Sequence, residues 1–233
     1  MTVLAVEGFS CGYGQSTVIR DLSLTIEAGE ALALLGKNGM GKTTLLKGVL
    51  GFLPPMTGGV IFDGERLRAG VPHQLAARGI AYSPQEKAVF QDLTVDENLR
   101  VAVRDRAKLR RGLERIGQYF PFIPQRLKQK AGTLSGGEQK MLILSRALVV
   151  EPKLMLIDEI TEGLQPSVIE RIAGVLQAER RGSKIAMLVV EQNVAFALKT
   201  ADRYAILDRG ELGEQGRTDE AGAQARIVDR LAL

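Results

Sequence analysis

Residues Gly36 to Thr43 read Gly-Lys-Asn-Gly-Met-Gly-Lys-Thr, the G-x-x-x-x-G-K-[ST] spacing of a phosphate-binding loop. Glycines at 36, 39 and 41 allow the backbone to curl into a nest, where the N–H groups of Lys37, Asn38, Met40 and their neighbours can face one anion. Lys42 is placed to reach the β- and γ-phosphates, and the Thr43 hydroxyl to ligate Mg²⁺. The loop needs a rigid entry and exit. Ala31-Leu32-Ala33-Leu34-Leu35 before it reads as a buried strand, and Thr44 to Leu50 after it as a helix whose positive dipole end aims at the loop. The pattern predicts binding of a nucleoside triphosphate; a glycine-rich turn with an exposed lysine is the weaker reading.

A second constellation is Leu154-Met155-Leu156-Ile157-Asp158-Glu159. Four apolar residues predict a buried strand with two carboxylates emerging at its C-terminal end, where open α/β sheets bind ligands. Asp158 is suited to hold Mg²⁺, largely through water, and Glu159 to orient or deprotonate an attacking water. Alone, such a pair can equally be a solvated turn; beside a phosphate loop the chemical reading gains. A third is Leu134-Ser135-Gly136-Gly137-Glu138-Gln139, which opens a helix ending near Leu148 with Ser135 as N-cap. Its amides could also meet an anion, and one nucleotide does not need two such helix starts from one subunit. The arrangement makes sense if Ser135 and Gly137 face a γ-phosphate held by a second subunit; the alternative is a capped helix after a loop.

The elements that must position these groups form a βα pattern. Leu22, Leu24 and Ile26 alternate with Ser23 and Thr25, predicting an antiparallel strand, and Gly58 to Gly64 another short one. From about Glu86 to Gly132 the pattern is helical, broken at Pro121 and Pro124, and reads as an inserted helical subdomain. After Gly137 the order is helix, strand (Leu154 to Asp158), helix (Pro166 to Arg180), strand (Ile185 to Val190), helix, strand (Tyr204 to Leu207). Alternation of this kind predicts a parallel sheet covered on both faces.

With 233 residues, 45% hydrophobic and 25% charged, the chain suits one large globular unit with room for an insertion. No apolar run reaches the roughly 18 residues of a membrane span, and no export signal is visible at the start. The single cysteine, Cys11, excludes an internal disulfide, fits a reducing compartment and is expected to be a small turn residue. His73, the only histidine, reads as a surface residue in a turn after Pro72. The net charge is +4, with a basic stripe from Arg104 to Arg115. Without tryptophan and with 5% aromatics, the stripe reads as a solvated helix face, or as a contact for a membrane protein or acidic lipid, rather than a nucleic-acid surface.

Together the motifs resemble the ATP-binding-cassette ATPases, over nearly the whole chain. Gly36 to Thr43 matches that family's Walker A, Leu154 to Asp158 its Walker B and Leu134 to Glu138 its signature sequence. The resemblance implies an α/β fold: a phosphate-loop NTPase (RecA-like), mostly parallel core over residues 1–85 and 137–233, an N-terminal antiparallel region, and a helical subdomain at about 86–136. It implies ATP hydrolysis with ATP and Mg²⁺ bound, and head-to-tail pairing of two ATPase subunits around two ATPs. Residues 36–44, Thr44 included, would then hold the phosphates, and Ser135, Gly136, Gly137 and Glu138 the opposite subunit's nucleotide. Tyr13, in Gly12-Tyr13-Gly14, matches the aromatic that stacks on adenine, or else is a turn tyrosine. Gln85 matches the glutamine that senses Mg²⁺ and the transport subunit, or else is a polar loop residue.

Finer wording is similar to ATPases of branched-chain amino acid and urea importers: Tyr82-Ser83-Pro84-Gln85, Leu93-Thr94-Val95-Asp96-Glu97-Asn98-Leu99 and Val189-Val190-Glu191-Gln192-Asn193. Gln192 stands where most cassettes carry a switch histidine; it offers an amide donor but no titratable ring. Ile160 replaces a usual proline and Gln165 a usual aspartate. The resemblance implies a peripheral subunit on the cytoplasmic face of the membrane. Its partners would be transmembrane permease subunits, a second ATPase subunit (copy or paralogue) and, indirectly, a solute-binding protein. A cassette ATPase acting on nucleic acid or the ribosome is the alternative; a second cassette or coiled-coil insertion would mark it, and neither is present.

Overall fold

The computed structural model describes residues 1–85, 89–103 and 105–232. Strands β1 (Thr2–Tyr13) and β2 (Ser16–Glu27) lead into β3 (Ala31–Leu35), helix α1 (Lys42–Val49), β4 (Thr57–Phe62), β5 (Glu65–Arg66), α2 (Pro72–Ala77) and β6 (Ile80–Ser83). Three helices follow, α3 (Val95–Arg100), α4 (Arg106–Tyr119) and the one-turn α5 (Phe122–Gln125). The chain then alternates through α6 (Gly136–Leu148), β7 (Leu154–Asp158), α7 (Pro166–Ser183), β8 (Ala186–Glu191), α8 (Val194–Thr200) and β9 (Arg203–Asp208), ending in β10 (Glu211–Arg217) and α9 (Ala223–Ala232).

Among the described residues there are two sheets. One is antiparallel, in the order β2-β1-β4-β5; the other runs β10-β9-β3-β8-β7-β6, parallel throughout except for the β9–β10 hairpin. β3, β7 and β8 are buried at every position, as expected of parallel strands covered on both faces. Side chains alternate between two cores. Ala31, Ala33, Leu35, Met155, Ile157, Met187 and Val189 face the layer of α3, α4 and α6–α9. Leu32, Leu34, Leu154, Leu156, Leu188 and Val190 face the antiparallel sheet and α1. One covering layer is thus mainly a second sheet.

Register fixes the chemistry at one edge. Leu35 pairs with Glu191, Asp158 with Val190 and Ser83 with Ile157, so the ends of β3, β8, β7 and β6 release the phosphate loop, Glu191, Asp158 and Gln85 side by side.

Several expectations move. Cys11 lies within β1, fully buried and paired with Ile19, because its small side chain fits under α1; its Sγ sits 3.8 Å from the Thr44 carbonyl, and burial pushes the thiol up to about 11. His73 is exposed but sits in α2, which Pro72 starts by occupying a first-turn position that needs no N–H. Pro124 likewise sits inside the single turn of α5, with Pro121 as its N-cap. Glu86, the expected start of the helical pattern, and Arg104 lie outside the described residues. The rest of the basic stripe is on α4, where Lys108 and Arg111 pair with Glu151, Arg110 with Glu114 and Arg115 with the buried Glu179. No helix among the described residues is long and apolar enough to cross a membrane.

Candidate nucleotide site

The loop after β3 is held against β9 and its hairpin turn. A Cβ on Gly36 would lie 2.6 Å from the Leu207 carbonyl, so the approach excludes any side chain. Gly41 caps α1 at φ 106°, in the left-handed region, and no side chain caps that helix start. Its first amides are therefore free for an anion. The loop tip is tied down where Gly210 N–H donates to the Met40 carbonyl at 3.0 Å. Lys37, Asn38 and Gly39 line its exposed side, and Thr44 is buried behind it.

Lys42 is 4% exposed, and its ammonium donates to the Gly36 and Lys37 carbonyls at 2.7 and 3.0 Å. It also forms an ion pair with Glu159 Oε1 at 3.1 Å. Glu159 takes φ 43° just past β7, which turns its side chain back over the loop. Its Oε2 accepts from Gln85 Nε2 at 3.0 Å and Gln192 Nε2 at 2.9 Å. Gln192 donates also to Asn38 Oδ1 at 2.7 Å, bridging the loop and the acid. Gln85 also donates to Glu162 at 2.7 Å, and its carbonyl accepts from Lys140.

Thr43 Oγ1 lies 3.5 Å from Asp158 Oδ1, and Tyr82 O–H donates to Asp158 Oδ2 at 3.2 Å. Burial holds the Asp158 carboxyl above the usual range, against the lowering effect of those two hydroxyls. Burial and the Asp158 charge push the Tyr82 phenol up, so it stays a neutral donor. A hydroxyl and a carboxylate are hard oxygen donors, and this sparse set fits a small octahedral cation that keeps most of its waters and takes phosphate oxygens. Gln85, expected to join that pair, donates its amide Nε2 to Glu159 and Glu162, and neither bond uses the amide oxygen that would face a cation.

Tyr13 remains 49% exposed at the end of β1, with Lys47 of α1 above its ring at 5.8 Å. The Ser135 cluster sits apart. Ser135 Oγ accepts from Glu138 N–H, and the Glu138 carboxylate accepts from Ser135 N–H at 2.9 Å, a reciprocal cap at the start of α6. None of the hydrogen bonds of residues 134–138 among the described residues reaches the loop at 36–43. A Cβ on Gly136 would face open space.

Residue types alone did not single out Tyr82, Glu162 or Glu191. Glu191 had a signal: it ends an apolar strand, as Asp158 does. Ile160, in place of proline, is 1% exposed and packs into the helix-side core, so its apolar side chain has a structural home. Gln165 begins α7 without a side-chain cap, unlike an aspartate there.

A family model described as ABC transporter matches residues 19–162. The high-affinity branched-chain amino acid transport ATP-binding protein of Pseudomonas aeruginosa is 37% identical over 90% of this chain and 91% of its own length. The lipopolysaccharide export system ATP-binding protein of Escherichia coli is 33% identical over 100% of this chain and 98% of its own. A solved ATP-binding subunit of an ABC transporter superposes with a TM-score of 0.84 at 27% identity, covering 99% of this chain and 98% of that one. A loop built for phosphates beside two acids, on a sheet and helical layer shared with these proteins, carries one conclusion: the chain belongs to the ABC transporter family and is an ATPase of that family.

Proposed function

We propose that this chain is the ATP-hydrolysing subunit of an importer for branched-chain amino acids or small solutes such as urea and short amides. It works on the cytoplasmic face of the membrane with transmembrane permease subunits, as one nucleotide-binding domain spanning residues 1–233 with its helical subdomain near 86–136. The observation that carries the reading is the convergence of the 36–43 loop, Asp158 and Glu159 at one sheet edge. The Pseudomonas relative supports the solute class.

Backbone amides at the uncapped start of α1 bind phosphate oxygens, and Lys42 turns from Glu159 onto the β- and γ-phosphates. Thr43 and Asp158 hold Mg²⁺, which when bound neutralises the charge building on the transferred phosphoryl group. Glu159, thereby released from Lys42, orients the attacking water and accepts its proton, while Gln85 and Gln192 keep its carboxylate aimed. Tyr13 stacks on the adenine. Ser135, Gly136, Gly137 and Glu138 face the nucleotide of a second ATPase subunit, a copy or a paralogue; the open surface at Gly136 supports this. A solute-binding protein is served only indirectly, and no nucleic acid is engaged.

The export relative, aligned along the whole chain, favours a second reading in which the transported species is a lipopolysaccharide. Deleting the gene and measuring uptake of labelled leucine, valine and urea separates the two. Lost uptake of one of these solutes supports the importer; intact uptake with lipopolysaccharide missing from the cell surface supports the exporter.

A further inference from the structure

Glu191 is the last residue of β8, wedged between the strands that release the phosphate loop and Asp158, and is 1% exposed. Its carboxylate collects four donors. Oε1 accepts from Thr161 N–H at 3.1 Å; Oε2 accepts from the Thr161 hydroxyl at 2.9 Å, Gln192 N–H at 3.3 Å and Asn193 N–H at 3.5 Å. Thr161 lies on the turn that leaves Glu159, and Gln192 on the turn that meets it. One buried acid therefore ties together the two turns whose side chains touch, Gln192 Nε2 to Glu159 Oε2 at 2.9 Å. A carboxylate is unusual at so enclosed a place unless its acceptors are filled, and here they are filled from both turns.

We propose that Glu191 is a positioning residue, holding the turn of Gln192 against the turn of Glu159 so that their hydrogen bond is set before the γ-phosphate is attacked. The inference rests on reading Glu159 and Gln192 as the pair that aims the water. Glutamine at 191 keeps one acceptor oxygen and puts an NH₂ group in place of the other, so it loses the Thr161 N–H bond in one flip and the three bonds to Oε2 in the other, without changing side-chain size.

The test compares kcat and KM for ATP in Glu191→Gln, Gln192→Ala and the double variant of the full chain. It adds hydrogen exchange over residues 189–194, which reads the tie independently of turnover. Glu191→Gln should lower kcat by up to about tenfold, no more than Gln192→Ala itself, with KM nearly unchanged. Exchange over 189–194 should accelerate, and the double variant should be no slower than Gln192→Ala alone, because Glu191 acts through Gln192. Thr161→Val, which removes one of the four donors, should give a milder form of the same defect, and Thr161→Ser should restore it. Parental kcat and exchange in Glu191→Gln, or losses that multiply in the double variant, would overturn the proposal. Parental kcat in Gln192→Ala, with faster exchange in Glu191→Gln, would instead overturn the pairing on which it rests.

Discussion

Lys42 Nζ and Glu159 Oε1 stand 3.1 Å apart, each nearly closed off from solvent. The loop lysine and the acid after Asp158 thus neutralise each other, and in the proposed mechanism a phosphate arriving at Lys42 takes the place of the carboxylate. Removing one member of a buried pair strands the other and typically costs about 3–5 kcal/mol, whereas removing both charges costs less. Lys42→Ala should accordingly lower stability to urea in nucleotide-free buffer, and adding Glu159→Gln should restore most of the loss. Losses that simply add would show that the pair is not coupled.

Gln192 spends its amide on Glu159 and Asn38, so its contribution is expected to be that of a positioning hydrogen bond. Such a bond is worth about 0.5–1.5 kcal/mol, against about 2.7–4 kcal/mol for a preorganised transition-state donor. Gln192→Ala should slow turnover by about tenfold and leave ATP affinity intact, whereas a drop beyond a hundredfold would assign it a direct contact with the transition state. Turnover indifferent to Gln192→Ala, and raised by Gln192→His, would mark the position as degenerate.

Ser135 offers a test of the second subunit. Ser135→Arg should leave ATP binding by the monomer unchanged while blocking dimer formation and hydrolysis. Because Ser135 caps α6, both Ser135→Arg and Ser135→Ala should lose about 1 kcal/mol of stability, while the bulky, charged arginine should block turnover and the alanine, losing one hydroxyl contact, should only slow it. Loss of monomer ATP affinity as severe as in Lys42→Ala would return Ser135 to its own subunit's site.

The parallel strands β3, β7, β8 and β9 were legible because burial on both faces forces unbroken apolar runs, as in Leu154 to Ile157, whereas the four-residue β6 was not; the loop was legible because phosphate binding demands glycines at fixed spacing. β10 escaped notice: half exposed, its sequence Glu-Leu-Gly-Glu-Gln-Gly-Arg lacks the apolar pattern of a strand, and only pairing with β9 defines it. Cys11 was misplaced because its neighbours Gly12 and Gly14 read as a turn, while the strand runs through to Tyr13. In the site, Asp158 and Glu159 were legible from a strand ending in acids. The partners of Glu159 were not, since the bonds from Gln85 and Gln192 span 74 and 33 residues and depend on strand order. Glu191 was hidden for the same reason: its tie to Thr161 spans 30 residues.

Steady-state ATP hydrolysis by Glu159→Gln, measured beside its equilibrium ATP affinity, bears most directly on the site. If Glu159 accepts the proton of the attacking water, turnover should fall by about 10²–10⁴-fold, the usual worth of a general base. ATP should bind at least as tightly as in the parent, because the carboxylate no longer competes for Lys42, and the nucleotide should accumulate in a trapped dimer. Hydrolysis close to the parental rate would contradict the assignment of Glu159 and, with it, this account of the site.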